Sequence, residues 1–232
     1  MALYAIADVH LSLGADKPMD VFPGWEDYTR RLQENWRRLV KPDDTVVIAG
    51  DISWAMRLED TREDFAYLHA LPGKKLLLKG NHDYWWTTRR KMERYLETEG
   101  FTDITFVHNS AVPVQGCAVC GTRGWLAGAM SEEDQKIVNR EVGRLKTSLD
   151  EALRQDLSPL VFLHYPPIYD GARCQPILDL LREYEITDCY YGHIHGKQAA
   201  QRAPMGEYEG IRMHLLSCDY VRFLPQRIFL TG

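Results

Sequence analysis

A chain of 232 residues with 45% apolar and 26% charged residues has the size and balance of one globular domain with a sizeable core. Its formal charge of −5 supplies no basic field, which weakens the case for tight nucleic-acid binding, and no apolar stretch approaches the ~18 residues of a membrane span. No basic leader precedes the first apolar run, and the five cysteines are scattered as reduced thiols are, so the expected compartment is the cytoplasm.

In chain order, Leu3–Ala7 is a short apolar run suited to a strand buried on both faces. Trp25, Tyr28, Leu32, Trp36 and Leu39 recur at helical spacing and predict an amphipathic helix over 25–39. Pro42-Asp43-Asp44 ends it before a strand at Thr45–Ala49. Residues 58–70 read as a helix, and Pro72-Gly73 turns the chain into a strand at Lys75–Lys79. A helix over 87–99 follows, then two or three strands between Ile104 and Val119. Cys117-Ala-Val-Cys120 has CxxC spacing without a second pair and reads as buried small hydrophobes. The glycine-rich stretch Gly121–Gly128 is too short to divide the chain, and Ser131-Glu132-Glu133-Asp134 resembles a capping box opening a long helix. Beyond it come a strand at Leu160–Leu163, a helix at Ile177–Tyr184 and a strand at Cys189–Tyr191. The tail from Arg212 to Leu230 alternates like an antiparallel hairpin. This order predicts an α/β fold of mixed sheets with helices outside, in a single domain over 1–232.

Five of these apolar runs are followed at once by polar blocks: Asp8-Val9-His10, Gly50-Asp51, Gly80-Asn81-His82-Asp83, His164 and Gly192-His193-Ile194-His195. Ligands of α/β sheets bind beyond the carboxyl ends of strands, so the blocks are expected to meet at one edge. Each is weak alone, but together they hold five of the eight histidines. Imidazole and carboxylate without thiolate suit Mn, Fe, Zn, Co or Ni. Asp-x-His and His-x-His in extended chain would put both side chains on one face. Asp51 can bridge two ions through its two oxygens, and Gly50, Gly80 and Gly192 suit sharp turns or close approach.

The ordered set DxH, GD, GNHD, H and GHxH resembles the calcineurin-like metallophosphoesterase superfamily, over residues 8 to 195. The resemblance implies a four-layer αββα sandwich of two mixed sheets with a dinuclear site at one edge. By motif, one metal would take Asp8, His10, Asp51 and His195, and the other Asp51, Asn81, His164 and His193. The cofactors implied are two divalent or transition metal ions, Mn, Fe or Zn foremost. His82 would be the catalytic histidine rather than a ligand, with Asp83 behind it to orient the ring and stabilise its charged form. The implied mechanism is in-line attack on phosphorus by a hydroxide bridging the ions, with His82 protonating the departing oxygen.

Ile52-Ser53-Trp54 after Asp51, and GNHD in place of GNHE, depart from the protein Ser/Thr phosphatases. Tyr165 stands where many relatives carry a second histidine. The expected substrate is a small phosphodiester or nucleotide-type molecule. A nuclease of the same superfamily is the runner-up, disfavoured by the acidic charge, and a catalytically silent scaffold of the same fold is the alternative of another class. Trp85, Trp86, Arg89, Arg90 and Arg123 follow the motifs closely enough to be candidates for substrate contact.

Overall fold

In a computed structural model, which describes residues 1–126 and 131–229, two sheets stack between two layers of helices. The last two residues of the stretch 121–128, and Leu230 at the end of the tail, lie outside the described residues. One sheet has the order β13-β1-β2-β3-β4, formed by β1 (Leu3–Ile6), β2 (Thr45–Ala49), β3 (Lys74–Leu78), β4 (Ile104–Phe106) and β13 (Gln226–Ile228). The other has the order β11-β12-β10-β7-β6-β5. Its strands are β5 (Val112–Val114), β6 (Cys117–Thr122), β7 (Ser158–Leu163), β10 (Asp188–Tyr191), β11 (Gly206–Tyr208) and β12 (Ile211–Leu215). A small hairpin, β8 (Ile168–Tyr169) and β9 (Ala172–Arg173), stands apart.

The inner strands are apolar toward their carboxyl ends, because each faces two cores there. Leu3, Ala5, Val47, Ala49, Leu76, Leu78, Phe162 and Tyr190 point between the sheets. Tyr4, Ile6, Val46, Ile48 and Leu77 point to the first helical layer, which holds α1 (Tyr28–Leu39), α2 (Arg62–His69) and α3 (Arg89–Glu99). Val161, Leu163, Cys189 and Tyr191 point to the second, with α4 (Glu132–Arg154) and α5 (Gln175–Glu183). The last helix, α6 (Lys197–Ala200), is a single turn. The predicted capping box of α4 is formed, with Ser131 Oγ accepting from Asp134 N at 3.1 Å and Asp134 Oδ2 accepting from Ser131 N at 3.1 Å. Helix α1 begins at Tyr28 rather than Trp25, and the 58–70 helix starts with a 3-10 turn at Leu58–Thr61. All five cysteines are free thiols, and burial pushes Cys120 up to about 12. No described helix is long and apolar enough to cross a membrane.

Strands β1 to β4 run parallel, as do β6, β7, β10 and β12, so their carboxyl ends face one edge. The tail corrects the expectation of a hairpin. β12 pairs with β11 and β10 in one sheet, whereas β13 pairs with β1 in the other. Alternation marks both as strands without saying which neighbour each takes. Between them, Leu216 N donates to Tyr191 O, Ala7 N donates to Leu216 O, and Cys218 N donates to Ala7 O. The crossing segment thereby laces the two sheets together at the polar edge.

Candidate metal centre

Asp8 and His10 follow β1, Asp51 follows β2, Asn81 to Asp83 follow β3, His164 follows β7, and His193 and His195 follow β10. The expected extended geometry of Asp-x-His is not what the backbone adopts. Asp8, His10, Asp51 and His193 have φ of 60°, 43°, 50° and 72°, in the left-handed region. Such residues cost ~1–3 kcal/mol each and gather at functional sites, although Asp and His tolerate the region better than most. Ladder-like bonds hold the turns in place, with Asp8 N donating to Gly50 O and His10 N to Asp51 O, each at 2.9 Å. Glycine is required where backbone meets carboxylate. A Cβ on Gly80 would stand 2.1 Å from Asp51 Oδ1, and one on Gly192 would stand 2.5 Å from Asp8 Oδ2.

Two groups of donors converge, Asp8 with His10 and His195, and Asp8 with Asp51 and His164, each drawn within 4.8 Å. His10 Nε2 is 3.3 Å from His195 Nε2 and 3.6 Å from Asp51 Oδ2. His164 Nε2 is 3.5 Å from the same Asp51 oxygen and 2.7 Å from Asn81 Oδ1. His164 Nδ1 faces Ala49 O at 3.2 Å, the tautomer that leaves Nε2 free to ligate. His193 belongs to neither group. Its backbone N–H donates to both Asp8 oxygens, and its ring lies 5.1 Å from that of His164.

The donor set suits cations. Asp8 and Asp51 are buried, and their partners within ion-pair distance are imidazoles; no lysine or arginine among the described residues pairs with either. Burial, reinforced by the charge of Asp8, pushes Asp51 up to about 8. Burial also lowers His10, His164 and, to about 3, His193, which leaves neutral imidazoles with lone pairs to share. Two carboxylates buried this way are costly unless a positive charge joins them.

Asp219 is a residue that the motifs did not reveal. Its Oδ1 lies 3.0 Å from His195 Nδ1, and its Oδ2 accepts from Gly196 N at 2.7 Å. It therefore aims His195 Nε2 into the cluster, as carboxylates behind metal-binding histidines do. Asp8 and Asp219 on either side outweigh burial and push His195 up to about 10.

His82 is half-buried and outside both donor groups. Its ring is 4.3 Å from that of Trp54 and 5.7 Å from that of His10. Burial and neighbouring imidazoles lower its pKa, and its Nδ1 lies 3.4 Å from the Tyr84 hydroxyl. The expected pairing with Asp83 is not made. Asp83 is wholly buried and accepts from Ile52 N (2.8 Å), Ser53 N (3.2 Å), Gly80 N (2.7 Å) and Trp85 Nε1 (3.1 Å). It joins the loop after β2 to the loop after β3, and so positions Asp51 and Asn81 rather than the His82 ring.

Trp85 is likewise corrected as a substrate contact, because it is buried against Phe65 and Phe106 with its N–H committed to Asp83. Trp86 is nearly as buried, on Phe106. Arg89 pairs with Glu93 on the exposed face of α3 at 2.6 Å, and Arg90 is exposed beside it. Arg123 follows β6, and its carbonyl accepts from Tyr165 N, next to His164. A cavity of about 600 Å³ elsewhere in the fold is lined by none of the candidate ligands.

Residues 1–197 match the family model of the calcineurin-like phosphoesterases. The chain belongs to that family. It is therefore a metal-dependent phosphoric ester hydrolase, and divalent metal ions are the family's cofactor. No curated protein matches the sequence. Among solved structures, a phosphopantetheinyl hydrolase (PptH) from Mycobacterium tuberculosis is 16% identical with a TM-score of 0.56, covering 100% of this chain and 98% of that one. AQ665 from Aquifex aeolicus, a protein of unknown function, is 18% identical with a TM-score of 0.53, covering 97% and 95%. TT1561 of Thermus thermophilus is 14% identical with a TM-score of 0.51, covering 84% and 82%. At these identities the likeness is one of fold, and this phosphoesterase shares with them its arrangement of sheets and helices.

Proposed function

We propose that this phosphoesterase hydrolyses a small phosphodiester or nucleotide-type ester at a dinuclear centre, with Asp8, His10, Asp51 and His195 holding one ion and Asp51, Asn81, His164 and His193 the other. The observation that carries the dinuclear reading is Asp51. Its Oδ1 accepts the His82 backbone N–H at 2.8 Å, while its Oδ2 faces His10 Nε2 at 3.6 Å and His164 Nε2 at 3.5 Å. One oxygen between two imidazole nitrogens is where a single carboxylate can serve two ions. Such ions, when bound, supply charge neutralisation at the phosphoryl oxygens and a water acidic enough to attack near neutral pH.

The chain's own groups do the rest. His82, outside the donor groups, has a ring N–H to offer the departing oxygen, a contribution of ~10²–10⁴-fold. Trp54 stacks on His10 at 5.0 Å and closes the mouth of the site on that side, with Lys17 above it at 4.6 Å. Tyr165 lies 4.1 Å from the His193 ring. The free cysteines support the reducing cytoplasm as the compartment.

The test is a matched pair of para-nitrophenyl substrates, a phosphomonoester and a bis-substituted phosphodiester, across Mn, Fe, Zn, Co and Ni. The expected result is metal-dependent cleavage with the higher kcat/KM for the diester. A strong monoester preference overturns the diester assignment. A protein that binds none of these metals and cleaves neither substrate is a silent scaffold instead.

A further inference from the structure

Beside the metal cluster lies a cavity of about 340 Å³ whose lining includes Lys79, Thr88, His108, Arg123, Glu141 and Arg144. Its walls come from the ends of β3, β4 and β6 and from α4, so it opens at the same carboxyl edge. Two connections tie it to the centre. Lys79 stands two residues before Asn81, at most ~7 Å along the chain. The Arg123 carbonyl takes the Tyr165 N–H at 2.8 Å, and the Tyr165 ring is 4.1 Å from that of His193.

The cavity holds more positive charge than its own structure uses. Lys79, Arg123 and Arg144 face a single lining carboxylate, Glu141. Glu141 is fully buried and engaged by the Thr122 hydroxyl and by Arg144 at 2.7 Å. Arg140, at 3.6 Å, and Arg123, at 3.9 Å, lie farther from the same carboxylate. One carboxylate cannot neutralise them all, and Lys79 makes no ion pair among the described residues. Arg123 lays its guanidinium over Trp125 at 4.9 Å, and its buried Nε has no hydrogen-bond partner. Helix α3 also starts at this rim. Thr88 is its N-cap without a side-chain cap bond, and the first turn contains no acid to answer the positive end of the helix dipole. Unmatched cations with an orphaned donor are what an anion with several oxygens satisfies, most strongly through the planar arginine fork.

We propose that this cavity is an anion subsite for a second phosphate of the substrate, so that the preferred esters carry another phosphoryl group beside the scissile one. The inference rests on the phosphoester reading of the metal centre and narrows its substrate class.

The deciding experiment titrates chelator-stripped protein with inorganic phosphate by calorimetry. Without metal, Asp8 and Asp51 repel anions, so binding reports on the cationic cavity. Wild type should bind saturably, K79Q and R123Q should each weaken binding at least tenfold, and R38Q, an exposed charge on α1, should not. Absence of binding by wild type, or equal binding by all the variants, overturns the subsite. Circular dichroism shows whether R123Q is folded, and K79Q, on a loop, gives the second arm. In parallel, metal-loaded enzyme is offered the para-nitrophenyl ester of thymidine 5′-phosphate with and without a 3′-phosphate. The ratio of kcat/KM should favour the bisphosphate in wild type and fall at least tenfold in K79Q; a purely structural role lowers both substrates alike and leaves the ratio unmoved. If neither ester is cleaved with any metal, the phosphoester reading has failed, and the phosphate titration still judges the cavity.

Discussion

Replacing Asp83 by alanine separates two roles that the carboxylate next to His82, the proposed catalytic histidine, can play. The side chain is fully buried and accepts four hydrogen bonds, three from backbone N–H groups and one from the Trp85 indole. Each buried donor left without an acceptor costs ~1–3 kcal/mol, so four set an upper range of ~4–12 kcal/mol. Loop relaxation and entry of water reduce this, and ~3–5 kcal/mol is expected, as for other buried charged partners that are removed singly. For a chain of this size that is a fall in Tm of ~6–20 °C. Asp83→Asn keeps one acceptor oxygen and should lose about half as much. The assay is urea unfolding followed by tryptophan fluorescence, with metal content and kcat/KM measured on the folded fraction. His82→Ala is the comparison. An Asp83→Ala protein as stable as wild type, but as slow as His82→Ala, would show that Asp83 works through the His82 ring and would refute the reasoning.

His82→Ala should lower kcat by ~10²–10⁴-fold, keep the metal content of wild type and change stability by less than ~1 kcal/mol; loss of metal would make His82 a ligand. Asp219→Ala should weaken one metal site ~10–100-fold, seen by competition with a chromogenic chelator, and Asp219→Asn, which still presents an oxygen to His195 Nδ1, should recover much of it. Gly80→Ala places a Cβ 2.1 Å from Asp51 Oδ1 and 2.2 Å from Asp51 N, so Asp51 must move. Weakened metal binding or failure to fold is expected, against a mild effect at Gly143, an exposed position of α4 where a Cβ meets nothing within 4 Å.

The strand-end blocks were legible because strands buried on both faces are continuously apolar and polar residues then stand out at their ends. Leu3, Ala5 and Tyr4 show why, as the first two fill the space between the sheets and the third faces the helices. Three features were not legible. The left-handed backbone at Asp8, His10, Asp51 and His193 is imposed by the turns that join the strand ends, and no local pattern of Asp or His announces it. Asp219 becomes a partner of His195 only because the chain crosses from β12 to β13 between sheets, and alternation alone suggested a hairpin instead. Trp85 follows the GNHD block as a substrate contact would, yet its ring completes a core with Phe65 and Phe106. Aromatic side chains suit either place, and only packing decides between them.

The most direct test of the dinuclear claim is metal stoichiometry by mass spectrometry, for wild type and Asp51→Asn loaded with the same metal. About two ions per wild-type chain are expected, from a pair clamped by one carboxylate, with weakened retention of both in the variant. A single ion in wild type, or loss of one ion with the other undisturbed, would contradict it.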